Sequence, residues 1–155
     1  PEHPGKPYYW ANQADEWEGT THRENSLKRW AVHLQNDFRA RMDWCVQPFE
    51  AANHPPRVRV EGPRVRRVPP GRSVVLDASR SRDPDGRPLS FRWVTYPEAG
   101  TMPNAPRWES REARWEFTAP NQPGELHLVL DVTDQGSPPL TRYARVIVKV
   151  ETPNR

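Results

Sequence analysis

The stretch VVLDASRSRDPDGRPLSFRW, residues 74–93, decides the fold. Val74, Leu76 and Ala78 recur at every second position, and so do Leu89, Phe91 and Trp93. Successive side chains of a strand point to opposite faces, so this period of two predicts two half-buried strands. Between them lies DPDG, residues 83–86. Pro84 sets φ for the first corner of a turn, Gly86 tolerates positive φ, and Asp83 can accept bonds from amides of its own turn. The acids admit a second reading. Asp77, Ser79, Ser81, Asp83 and Asp85 alternate as oxygen donors, and calcium takes roughly six to eight oxygens. Structural turn is the preferred reading, with Asp83 and Asp85 as calcium candidates behind it. No other cofactor is implied.

Outward from this stretch the same period recurs. Trp115 and Phe117 alternate in RWEF. Leu126, Leu128, Leu130 and Val132 alternate in ELHLVLDV, and Ala144, Val146, Val148 and Val150 in YARVIVKV. DQGSPPL, residues 134–140, reads as the hairpin connection between the last two strands. Short alternating strands separated by turn signals predict an all-β sandwich.

The N-terminal third reads differently. Residues 1–20 mix Pro, Gly and acids with Tyr8, Tyr9, Trp10 and Trp17, an irregular segment too aromatic to be simply disordered. Leu27, Trp30, Ala31, Leu34, Phe38, Met42 and Cys45 then follow helical spacing, which predicts an amphipathic helix over about 22–46. Thr21 and Glu24 suit a capping box, with Asn25 or Ser26 as the competing start, and Pro48 stops the helix. Its apolar face must dock on a sheet or on another domain. ANHPP, residues 52–56, reads as a linker. Beyond it Val58 and Val60 alternate with Arg57 and Arg59, the pattern of an edge strand kept wet by charge.

Composition narrows the function classes. The chain has 155 residues, 19 prolines and seven tryptophans, with a formal net charge of +3. Large aromatics let a small core bury useful area, at about 150–250 Å² each, and they also suit a sugar-binding face. The arginines of 57–72 alternate with valines and lack interleaved aromatics, which argues against a nucleic-acid surface. No apolar run is long enough to predict a membrane span. Cys45 is the only cysteine, so no internal disulfide forms. His3, His22, His33, His54 and His127 lack metal-ligand spacing.

The pattern Leu76-Asp77-Ala78-Ser79, Ser81, Asp83-Pro84-Asp85-Gly86 and Trp93 resembles polycystic-kidney-disease-type immunoglobulin-like modules. QNDFRARMDW, ANHPP, DPDG, YPEAGT and VTDQGSPPLTRYARVIV, in that order, resemble a bacterial family of cellulose-binding proteins. There a nucleoside-hydrolase-like domain precedes an immunoglobulin-like C-terminal domain. This resemblance implies that residues 1–50 are the tail of an upstream hydrolase-like domain, 51–56 the linker and 57–152 an immunoglobulin-like β-sandwich. It also implies a secreted or periplasmic setting. The aspartate cluster of nucleoside-hydrolase-like sites has no counterpart in these residues, so the chain alone is expected not to be catalytic, even if a parent protein hydrolyses glycosidic bonds.

Sugar rings stack their CH faces on exposed aromatics, with polar side chains meeting the hydroxyls. Tyr8, Tyr9, Trp10, Trp17, Tyr96 and Trp108 fall in loops and, with Glu98, are the candidate ligand contacts. Glu98 has no partner carboxylate for glycoside hydrolysis. Trp30 and Trp93 are in phase with apolar stripes and are assigned to the core. Asp131 and Asp134 flank the end of the longest strand and could complete a cation site with the DPDG loop, but ordinary strand-end polar residues are the preferred reading. Three functions stay open. The first is a non-catalytic polysaccharide-binding module. The second is a structural or oligomerising domain, compatible with a homo-oligomer, that braces an upstream hydrolase-like domain. The third is a contributor of residues to a hydrolase site across a domain interface.

Overall fold

The computed structural model describes residues 14–152 of the chain. They divide into two compact units between Gln35 and Asn36.

In the first unit, β1 (Asp15–Trp17) and β2 (Thr20–His22) pair antiparallel, and a short helix, α1 (Asn25–Lys28), follows. The buried Asn25 amide ties hairpin to helix, donating to the carbonyls of Asp15 (2.9 Å) and Thr20 (2.8 Å). Thr21, expected in a capping box, therefore lies in a strand, as β-branched residues favour. The helix expected over about 22–46 is instead broken at Arg29–Trp30, and α2 spans Ala31–Val46.

The second unit holds the remaining strands. These are β3 (Val65–Val68), β4 (Ser73–Asp77), β5 (Ser90–Thr95), β6 (Glu109–Ser110), β7 (Arg114–Thr118), β8 (Gly124–Thr133) and β9 (Thr141–Val150). A five-stranded sheet runs β3-β9-β8-β5-β6, with β3 parallel to β9 and the other pairs antiparallel; β4 and β7 form a separate antiparallel pair. The architecture is mainly β and sandwich-like, with both sheets open. Its core is the set that the alternation predicts: Leu76, Trp93, Leu126, Leu128, Leu130, Val132, Val146 and Val148 are fully buried. The Val58–Val60 segment is not a strand, since only Arg57 bridges, to Arg82, while Val60 is buried. Nearby arginines are engaged within the fold. Arg66 donates to the carbonyls of Val75 and Glu61, and Arg67 pairs with Glu151 at 2.8 Å.

The apolar stripe of α2 does not dock among the described residues. Phe38 is 64% and Met42 48% exposed, and Ala40 is the buried residue. The polar face makes the contacts instead. Asp37 meets Arg142 at 2.9 Å, and Asn36 donates to the Pro139 carbonyl at 3.1 Å. Trp44 Nε1 donates to the Asn53 carbonyl at 2.8 Å. Burial opposes the Asp37 charge, but hydrogen bonds from Arg41 and Arg142 outweigh it and hold the carboxyl below its usual range.

ANHPP is a packed segment and not a free linker. Ala52, Asn53 and Pro56 are buried. The Asn53 amide donates to Asp134 Oδ2 (3.0 Å) and to the Pro138 carbonyl (2.9 Å), and its Oδ1 accepts from Arg87. Asp134 Oδ1 accepts the amides of Gly136 and Leu140, both at 2.9 Å, which shapes the β8–β9 turn. A Cβ on Gly136 would overlap the Asn53 side chain. Removing one partner from a buried network leaves the others desolvated and unpaired. Asn53→Ala is therefore expected to cost about 2–4 kcal/mol in urea unfolding. Gly136→Ala is expected to destabilise too, and the two losses should not add, because they strike one contact. A loss for Asn53→Ala no larger than that of an exposed-site substitution would refute the clasp.

Candidate functional site

Three places hold chemistry-bearing side chains. The first is the DPDG turn. Asp83 Oδ1 accepts the amides of Asp85 and Arg87, both at 3.0 Å, and Gly86 takes φ +75°. Asp85 reaches back to the segment after α2. Its Oδ2 accepts the His54 amide at 2.8 Å, its Oδ1 lies 2.9 Å from His54 Nδ1, and Arg87 is 3.2 Å away. Burial raises the Asp85 pKa, but the His54 bonds and the Arg87 charge prevail and leave it below the usual value. The His54 ring is itself held between Phe49 (centroids 4.0 Å apart) and Trp44 (6.2 Å). Asp85 thus has both oxygens engaged by protein donors, whereas Asp83 uses Oδ1 alone and its Oδ2 is buried without a hydrogen-bond partner. Among the described residues no three His, Cys, Asp or Glu side chains converge on a cation position. The depression of about 310 Å³ beside the turn is lined by Arg82, Asp83, Arg87 and Phe91; Arg82 donates to the Ser79 and Ser81 carbonyls and Arg87 to Asn53 Oδ1.

The second place is aromatic. Trp115 and Phe117 project from β7 towards the core, and Trp108 packs on both. The centroids lie 4.8 Å apart for Trp115–Phe117, 5.2 Å for Trp108–Phe117 and 6.3 Å for Trp108–Trp115. All three stay half-buried, because a two-stranded sheet is too narrow to cover the five-stranded one. Trp108 is held by its backbone: its amide donates to Thr95 Oγ1 (2.9 Å) and its carbonyl accepts from the Thr95 amide (3.0 Å). That pairing sets the 106–108 segment beside the end of β5, where Tyr96 and Glu98 follow. Arg107 Nη1 lies 3.7 Å from Glu98 Oε1.

The third place is the outer face of the five-stranded sheet. Arg92, Asp131 and Tyr143 stand opposite one another on β5, β8 and β9. Asp131 is buried, with Arg92 Nη1 3.5 Å from Oδ2 and no hydrogen-bond partner for Oδ1. Burial pushes its pKa to about 6; Arg92 opposes this and Glu109 adds to it. Burial and the Asp131 charge raise the Tyr143 phenol. Asp131 and Asp134 are both buried, as is His127, whose burial lowers its pKa.

The expected ligand contacts thus fall in different places. Trp108 is placed beside the end of β5 by its bonds to Thr95, with Tyr96 next in the chain and Glu98 held near by Arg107. Trp17 lies in the N-terminal hairpin unit, with the Arg29 guanidinium 5.3 Å from its ring centroid. Tyr8, Tyr9 and Trp10 lie outside the described residues. The alternation of Trp115 and Phe117 predicts a strand, and nothing in that period signals that both stay half-buried beneath Trp108.

The family described as Cellulose-binding protein Sde0182, C-terminal domain, matches residues 73–150, half of the chain. A solved structure of a nucleoside hydrolase-related hypothetical protein from Saccharophagus degradans, associated with carbohydrate metabolism, is 34% identical, with a TM-score of 0.72. The match covers 81% of this chain and 33% of that one, so the chain spans about a third of that relative's length. No curated protein matches the chain.

The Asp131 environment predicts a pH dependence. The folded-state pKa, about 6, lies above the ordinary 3.8, so the folded state binds the extra proton. Stability therefore falls as pH rises from about 4 to 6, and the penalty is complete above that window. Asp131→Asn, which cannot ionise, is expected to raise stability at pH 7.5 by up to about 3 kcal/mol and to change it little at pH 4. Thermal unfolding at the two pH values measures this; equal effects at both would contradict it.

Proposed function

Since the chain belongs to the family of the cellulose-binding protein Sde0182 C-terminal domain, we propose that its sandwich is a non-catalytic polysaccharide-binding module contacting sugar through the Trp108 cluster. The observation that carries this reading is the partly buried, mutually packed cluster of Trp108, Trp115 and Phe117. Apolar rings held rigidly at a surface offer stacking area at low entropic cost. The adjacent Glu98–Arg107 pair supplies charged hydrogen-bonding groups for hydroxyls. The resemblance of the DPDG segment to immunoglobulin-like modules supports reading the sandwich as immunoglobulin-like, and the family resemblance supports a secreted or periplasmic setting. Retention on insoluble glucan tests the function. The wild-type chain should be depleted from solution, and Trp108→Ala should weaken binding about tenfold. Failure of the wild type to bind any glycan would remove the proposal.

A specific observation favours a second reading, that of a structural or oligomerising domain. Phe38 and Met42 expose the apolar face of α2, which costs free energy in water unless a partner covers it. Under this reading the chain self-associates with rising concentration in sedimentation experiments or braces a neighbouring hydrolase-like domain. Phe38→Glu should abolish the self-association while leaving glucan retention intact. A chain that stays monomeric at all concentrations excludes the oligomerising form.

A further inference from the structure

We infer that the Trp108 cluster takes a single β-linked glucan chain, soluble or amorphous, and does not adsorb flat to a crystalline polysaccharide face. This rests on the polysaccharide-binding reading and specifies its ligand. A crystalline face presents its sugar rings in one plane. Aromatics that engage such a face must lie coplanar, in a row, all open to the same side. The three rings here do the opposite. Trp108 stands at 86° to Trp115 and 56° to Phe117, and Trp115 and Phe117 are inclined by 41°.

Their centroid separations of 4.8–6.3 Å are those of rings in mutual contact, so they form one compact apolar corner instead of a strip. The corner cannot flatten on contact. Trp108 is pinned through both its amide and its carbonyl to Thr95, whose hydroxyl also donates to the Pro106 carbonyl at 2.7 Å. Trp115 and Phe117 are fixed by the register of β7 with Leu76 and Val74. A single glucan chain can rotate about its glycosidic bonds to present sugar faces to inclined rings, and it leaves its hydroxyl edges free for Glu98 and Arg107. A chain locked in a crystal can do neither.

The test compares three probes with the whole chain: microcrystalline cellulose, acid-swollen amorphous cellulose and soluble cellohexaose. Binding to the amorphous and soluble probes is expected, with affinity for the crystalline probe at least about tenfold weaker. Trp108→Ala should abolish the difference by removing binding to all three. Trp108→Phe retains an aromatic anchor, so it should keep the near-ultraviolet circular dichroism and part of the binding, which separates loss of site from loss of fold. Equal or tighter binding to crystalline cellulose, sensitive to Trp108→Ala, overturns the single-chain inference while the polysaccharide reading stands. Binding that a folded Trp108 variant leaves unchanged moves the site elsewhere and also overturns it. No binding to any probe overturns the polysaccharide reading and this inference with it.

Discussion

The buried amide of Asn53 is the contact on which the second unit is organised. It satisfies a carboxylate and a carbonyl from the β8–β9 turn and a guanidinium beside the DPDG turn, and its backbone carbonyl accepts the indole N–H of Trp44 from α2. A buried carboxylate such as that of Asp134 is tolerable only when hydrogen-bonded, and here all of its donors are protein groups. Helix, connecting segment, DPDG turn and β8–β9 turn are thereby fixed to one another at one end of the sandwich. Asp85 repeats the arrangement a few ångströms along the chain by holding the His54 backbone and ring. Of the two acids of the DPDG turn, Asp85 thereby attaches the turn to the segment after α2, while Asp83 Oδ1 shapes the turn itself.

With one end of the sandwich fastened, the aromatic cluster gains its character from an imbalance of layers. Five strands face two. The central strands, β8 and β9, bury their inner faces completely, while the inner face of β7 runs past the cover available to it. Trp108 fills part of that gap, and the result is a rigid, half-wet aromatic corner. The polysaccharide-binding proposal rests on this shortfall of the core, since rings left partly uncovered are what a sugar face needs.

Much of the fold was legible from period alone. Leu126, Leu128, Leu130 and Val132 could occupy only one face of a strand, and that face is buried throughout. Trp93 was placed by its phase with Leu89 and Phe91. The helix was less legible. Its 3.6 period marks an apolar stripe, but period cannot say which face finds a partner. In the described chain, polar contacts through Asp37, Asn36 and Trp44 seat the helix, and Phe38 stays wet. ANHPP looked like a linker because Pro, Asn and His punctuate local structure. Its burial depends on Asp134 and Pro138, more than eighty residues away.

The sequence by itself determined the strands β4, β5, β7, β8 and β9, the DPDG turn and the residues at the centre of the core, because each depends on neighbours within a few positions along the chain. Alternation, proline and glycine act locally. Tertiary structure alone decided that Trp108 lies on Trp115 and Phe117, that Asp85 holds His54, and that Asp131 is buried among charged neighbours. Those outcomes depend on which strands lie side by side and how far one sheet covers the other, and such distances across the fold leave no period in the sequence.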